Sequence, residues 1–205
     1  MPVQPRLLVL MARAPAPLRC KSRLAAGGLG PRRAALVQGR LLAHTLAVVE
    51  RGADQLQARS RLALSGVGGR CGRRLLGRAG CTEVVFQGGG GLGVRLQRQF
   101  AWGFAQGHRA IVLVGSDLPR LAAVDLQQAF AALERVPLVL GPATDGGYWL
   151  IGLRAPAAAL FAGIDWGGPQ VLAQTLGQAG RLNLPYSLLD DQSDLDWAAD
   201  LACWR

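Results

Sequence analysis

One lysine stands in this chain of 205 residues. The other members of its 23 basic residues are arginines, they face only 13 acidic residues, and the formal net charge is +10. Histidine is down to two residues and aromatics to 6%. Each shortage excludes something. Few aromatic faces, and arginines scattered along the chain, argue against nucleic acid as a partner, because single strands need stacking platforms beside a basic stripe. A basic excess still favours capture of a smaller polyanion such as a nucleotide. No apolar run reaches the ~18 residues of a membrane span. The early LLVLMA run is too short and too poorly flanked for a signal peptide, and reads as a first buried strand. The cysteines, Cys20, Cys71, Cys81 and Cys203, show no C-x-x-C spacing, so reduced thiols in a cytoplasmic protein are expected. His44 and His108 have no nucleophile motif beside them, and no catalytic triad is legible.

What is present is an alternation of apolar strands with helical segments. Strands are expected over 7–11, 61–65, 83–87, 110–115, 138–140 and 148–153, with a last one over 181–188. Pro31 suits the first turn of a helix whose apolar residues Leu36, Leu41, Leu42, Leu46 and Val49 repeat with a helical period. Further helices are expected over 70–78, 92–106 and 122–135, near Ala157 and Pro169, and over 195–202. The length predicts one domain over 1–205 with a sizeable core. The alternation predicts an α/β fold, an open sheet with helices on both faces. In such sheets ligands bind beyond the carboxyl ends of strands. That rule selects the loops after Met11, Gln87 and Gly115.

The first loop, MARAPAPLRCKSRL, is stiffened by Pro15 and Pro17 and carries Arg19, Lys21 and Arg23. A phosphate chain needs cationic donors converging from a preorganised loop, with Lys21 a point charge and Arg23 a forked donor. A solvated basic loop is the alternative. Cys20 reads as a small loop residue. The second, QGGGGLGVRL, matches G-x-G-x-x-G through Gly88, Gly90 and Gly93, but four consecutive glycines match it cheaply and the fingerprint belongs to the first strand–helix unit. It serves as a flexible turn or a close backbone approach. In the third, GSDLP, Asp117 is sited to hold a divalent cation on phosphates, or else to close a turn. Asp145-Gly146-Gly147 reads as a tight turn whose neighbours Thr144 and Tyr148 can line a pocket. Asp190, Asp191, Asp194 and Asp196 form the dense acidic cluster, as helix caps or as a further metal ligand.

As a set, these stretches resemble bacterial GT-A-like transferases, the arsenosugar-biosynthesis-type glycosyltransferases or radical-SAM/selenodomain-associated transferases. Those are distant relatives of the molybdenum-cofactor guanylyltransferases and 2-phospholactate guanylyltransferase. The resemblance is carried by MARAPAPLRCKSRLAAGGLG, QGGGGLGVRL, VLVGSDLP, VLGPATDGGYWLIGL, FAGIDWGGPQVLAQTL and DLDWAADL, and spans nearly the whole chain. It implies a GT-A, Rossmann-like three-layer sandwich with a mostly parallel sheet. It implies that Lys21 and Arg23, with Arg13, Gly93 and Ser116, face a nucleotide, and that Asp117 is the metal aspartate for Mg²⁺ or Mn²⁺. Asp145 would border the donor or acceptor pocket, and Asp194 or Asp196 would stand near a second metal position. The chain departs from the family pattern at Gly91, at Gly167-Gly168 and at Trp197-Ala198, the last leaving Asp196 as the expected N-cap of the final helix.

The activity expected on this resemblance is metal-assisted transfer from a nucleotide-activated donor to a small-molecule acceptor. The donor would be a nucleoside-diphosphate sugar, with catalysis resting on Lys21, Asp117 and Asp145, the last as candidate general base. Nucleotidyl transfer from a nucleoside triphosphate is the alternative, and a non-catalytic nucleotide-binding protein on the same fold is a third reading.

Overall fold

The protein is described by a computed structural model covering residues 4–66 and 83–204. The expected helix over 70–78, with Cys71 and Cys81, lies outside the described residues. One seven-stranded sheet organises the rest: β1 (Arg6–Arg13), β2 (Arg59–Ser65), β3 (Glu83–Phe86), β4 (Ala110–Gly115), β5 (Leu138–Pro142), β6 (Tyr148–Leu153) and β7 (Tyr186–Leu188), in the order β3-β2-β1-β4-β6-β5-β7. Only β6 runs antiparallel to its neighbours, β4 and β5. The principal helices are α1 (Pro31–Leu56), α2 (Leu92–Ala105), α3 (Ala123–Leu133) and α4 (Val171–Arg181).

Both faces of the sheet are covered, which is why its strands read as nearly unbroken apolar runs. Successive residues of β1 and β4 serve opposite cores. Leu8, Leu10, Val112 and Val114 pack with Val49 of α1 and Phe130 of α3. Leu7, Val9, Ile111 and Leu113 pack with Phe100 of α2 and Ala179 of α4. Burying each such leucine, valine or isoleucine contributes about 1.5–3 kcal/mol. This three-layer α/β architecture is the one expected.

Some boundaries differ from the sequence pattern. α1 buries Ala34, Ala35, Gln38, Leu41, Leu42, Thr45, Val48 and Val49. Leu36 falls off that stripe and is 69% exposed. The expected strand over 181–188 shrinks to Tyr186–Leu188, because α4 keeps its amphipathic period to Arg181. The expected helix over 195–202 is instead a 3₁₀ segment, Ala198–Cys203, and Leu195 lies before it, fully buried against Leu24, Ala34 and Leu41. No helix among the described residues is long and apolar enough to cross a membrane.

Candidate functional site

β1 and β4 are parallel neighbours, with Met11 opposite Gly115. Their following loops therefore leave the sheet side by side at its carboxyl edge. The β4 loop delivers Ser116 and Asp117. The β1 loop delivers Lys21, whose backbone is left-handed (φ 48, ψ 49). For a side chain other than glycine that conformation costs about 1–2 kcal/mol. The Lys21 side chain is only 2% exposed, and its Nζ lies 2.8 Å from Asp117 Oδ2 and 3.1 Å from Asp196 Oδ1. Burial alone pulls the ammonium down, but the Asp117 and Asp196 carboxylates outweigh it and its pKa is raised. A compact ammonium meets two carboxylates as a point charge, whereas a guanidinium presents a broader planar fork, so the two are not interchangeable here. That is a physical reason for the single lysine in an arginine-rich chain.

Asp117 is held on both oxygens. Oδ1 accepts from Gln38 Nε2 (3.3 Å) and Ser116 Oγ (3.2 Å), while Oδ2 pairs with Lys21. Asp196 bridges Lys21 to Arg23, whose Nη1 lies 3.1 Å from Asp196 Oδ2 and whose guanidinium sits over the Trp197 ring. The segment carrying Asp194 and Asp196 is anchored by Leu195, whose N–H donates to Asp117 O at 2.9 Å. Asp196 is not the cap of the final turn. Trp197 holds that position, and Asp200, within the first turn, reaches back to accept from Asp196 N (2.9 Å) and Trp197 N (2.7 Å). The carboxylate expected to cap is drawn away by two cations.

Around these groups is a cleft of about 230 Å³, lined among others by Arg13, Arg95, Ser116, Asp117, Tyr148 and Asp194. Asp194 is pushed up to about 7, first by burial and then by the negative fields of Asp117 and Asp145, against a smaller opposing pull from Lys21. On one side the cleft continues into a groove bordered by Arg13, Arg19 and Arg95. On the other it opens into a hollow lined by Arg23, Asp145, Tyr148, Trp166 and Asp194. Asp145 sits in the expected turn, its Oδ1 accepting Gly147 N at 2.9 Å.

The sequence-derived candidates thus fall into two sets. Lys21, Arg23, Ser116, Asp117 and Asp196 form one connected network, and Arg13, Asp145 and Asp194 line the adjoining walls. Gly93 stands apart: a Cβ there would meet the Trp166 indole at 2.5 Å, so close helix packing accounts for this glycine. Cys20 is buried and donates from Sγ to Ala16 O at 3.2 Å, as a loop residue does. His44 and His108 do not line the cleft.

Sequence reasoning missed Gln38, Arg95, Trp166 and Asp200. Gln38 had a signal, a polar residue on the apolar stripe of α1, only 1% exposed.

Among the described residues no three His, Cys, Asp or Glu side chains converge to hold a metal ion by themselves. The residues nonetheless suit one kind of cation. Mg²⁺ typically takes one or two carboxylates and completes its shell with phosphate oxygens and water. Asp117 and the electrostatically strained Asp194, facing one cleft, offer that partial set.

Known proteins share this fold. Residues 48–168 match the profile of DUF2064, described as an uncharacterized protein conserved in bacteria, and the chain belongs to that family. No curated protein matches it. A Desulfovibrio desulfuricans G20 protein assigned as a nucleotide-diphospho-sugar transferase is 27% identical, with a TM-score of 0.85, covering 95% of this chain and 84% of its own. Rv0371c of Mycobacterium tuberculosis H37Rv, in complex with manganese, is 20% identical with a TM-score of 0.55, over 97% and 96% of the two chains. CMP:2-keto-3-deoxy-manno-octonic acid synthetase, complexed with CTP, is 12% identical with a TM-score of 0.58, over 97% and 95%. The last two likenesses concern the fold.

Proposed function

From its place in the DUF2064 family and on this fold, we propose that the chain is a single-domain transferase using a nucleotide-activated donor, and that the donor is a nucleoside-diphosphate sugar. The observation that carries the reading is Lys21, buried between Asp117 and Asp196, with Asp117 itself lining a cleft whose other walls hold Arg13, Arg95 and Asp194. Cations and carboxylates are kept side by side there, as a metal-bound diphosphate requires. The Desulfovibrio neighbour supports the donor class, and the manganese complex of Rv0371c supports the cation.

In this reading Asp117 and Asp194 would hold Mg²⁺ or Mn²⁺, and the cation would supply neutralisation of charge on the leaving diphosphate. Lys21 adds a fixed positive charge beside Asp117, already desolvated and so needing little reorganisation. Arg13 and Arg23 bind the phosphates from the rim. Ser116 and Gln38 keep the Asp117 carboxylate oriented. Asp145 takes the acceptor proton. The reading assumes the cytoplasm, where nucleotide donors are held.

Nucleotidyl transfer from a nucleoside triphosphate is the second reading. It is favoured by the groove of Arg13, Arg19 and Arg95 beyond the cleft, which offers further cationic donors to a longer phosphate chain. Pyrophosphate release separates the two.

The test is thermal shift against nucleoside triphosphates and nucleotide sugars, with Mg²⁺ or Mn²⁺, for wild type and Asp117→Ala. A ligand at ~100 times its Kd adds about 2.7 kcal/mol, a shift of roughly 5–11 °C for a domain of this size. The expected result is a metal-dependent shift with a nucleotide sugar that the variant loses. A triphosphate-only shift selects the second reading, and binding without turnover selects a non-catalytic nucleotide-binding protein. No shift with any nucleotide overturns all three.

A further inference from the structure

The hollow beside the cleft, about 330 Å³, is reached past Leu92, Tyr148 and Asp194, which line both spaces. Its walls meet where two distant segments touch. Gly146 O accepts Leu172 N at 2.9 Å, and a Cβ on Gly146 would stand 2.0 Å from Pro169 O. With φ at 88°, Gly146 meets both demands as only glycine can. Asp145 and Trp166, which flank this junction in the chain, both line the hollow. Trp166 meets Tyr148 edge-to-face, with ring centroids 6.3 Å apart, and is backed by Phe161 at the same separation. The hollow therefore has a supported aromatic wall.

Its charges are equally specific. The charged side chains lining it are Arg23, Asp145 and Asp194. Arg23 is already paired with Asp196 at 3.1 Å. With Arg23 and Asp194 both engaged on the donor side in the proposed function, the charge left facing the hollow is the Asp145 carboxylate. The arginines outside this network, Arg13, Arg19 and Arg95, line the groove on the other side of the cleft. An anionic group entering the hollow would meet like charge with no unpaired cation to answer it.

We propose that this hollow is the acceptor subsite and that it takes an uncharged, hydroxyl-bearing molecule, a sugar or polyol, with its apolar face on Trp166 and its hydroxyls towards Asp145. An aromatic wall with a few polar groups is the usual build of such a pocket. The inference rests on the transferase reading and deepens it, because a hydroxyl acceptor is what glycosyl transfer needs. The acceptor oxygen bonds to the donor's anomeric carbon while the bond from that carbon to the diphosphate oxygen breaks. The electron pair leaves with the nucleoside diphosphate, and the acceptor proton passes to Asp145.

The experiment compares matched pairs in the presence of saturating nucleoside diphosphate and Mn²⁺, so that the phosphate-binding side is already filled. Affinities are measured for glucose against glucose 6-phosphate, ribose against ribose 5-phosphate, and glycerol against glycerol 3-phosphate. At least one neutral member is expected to bind about tenfold or more tighter than its phosphate, as expected where like charges meet. Trp166→Ala and Asp145→Asn are each expected to lose that binding while keeping the shift caused by the nucleoside diphosphate. Phosphates binding as well as their neutral partners, no neutral member binding, or neutral binding indifferent to both substitutions would each overturn the inference. The transferase reading fails separately, through loss of the nucleotide shift itself.

Discussion

Lys21 Nζ lies 2.8 Å from Asp117 Oδ2, although 96 positions separate the two residues in the chain. The contact joins the loops after β1 and β4, and everything proposed for the cleft is arranged around it. If the pair handles diphosphate charge, Lys21→Ala and Asp117→Ala should each lower turnover by ~100-fold or more, as loss of a charge-stabilising group often does. Steady-state rates with the donor identified by thermal shift measure this. Near wild-type turnover in either variant would remove that residue from the mechanism.

Gln38 donates to Asp117 Oδ1 from within the core, so it acts through Asp117 and touches no substrate. Gln38→Leu should keep the fold and raise the metal concentration needed for half-maximal activity by about tenfold, in line with other supports of metal-binding carboxylates. Titrating Mn²⁺ against rate reads this out. A uniform rate loss with unchanged metal dependence would point to general disruption instead.

Asp194 gives a pH signature for the metal-free protein. Its folded pKa, about 7, lies above the ordinary carboxylate value, so between roughly pH 4 and 7 the folded state binds more protons than the unfolded state. Stability from this group is therefore fully present at low pH and is lost as pH rises through 7. Asp194→Asn removes the penalty. The variant should melt about 2 °C or more above wild type at pH 8, with little difference at pH 4. Parallel melting curves across that range would contradict the burial and carboxylate repulsion assigned to Asp194.

The junction under the hollow makes a prediction about stability. At Gly146 a methyl group would face both a positive φ and the Pro169 carbonyl. Gly146→Ala should cost about 1 kcal/mol or more, lowering Tm by at least about 2–4 °C. At Gly147 the nearest obstacle is Asp145 Oδ1 at 3.2 Å, and φ there is not in the left-handed range, so Gly147→Ala should cost less. Equal losses in the two variants would argue against the close approach.

Much of this molecule was legible without coordinates, for local reasons. β1 and β4 announced themselves because strands buried on both faces must be apolar at every position. The rule that ligands gather beyond strand carboxyl ends then picked out the loops of Lys21 and Asp117. The β4 loop lines the cleft through Ser116 and Asp117, the β1 loop braces it through Lys21, Asp194 joins the lining, and Asp145 lines the hollow beside it. Residue type and spacing could not say which carboxylate meets which cation. Asp196 had the position of a helix cap, but the cap falls one residue later, at Trp197, and the Asp196 carboxylate pairs with Lys21 and Arg23. Gly93 fitted a phosphate-loop pattern, yet its neighbour is Trp166, more than 70 positions away. Periodicity, turns and apolar runs are properties of neighbours in the chain, so the sequence can carry them. Partner choice among charged groups, and the backing of Trp166 that shapes the hollow, depend on distances set only when the sheet, its helices and the C-terminal segment pack together.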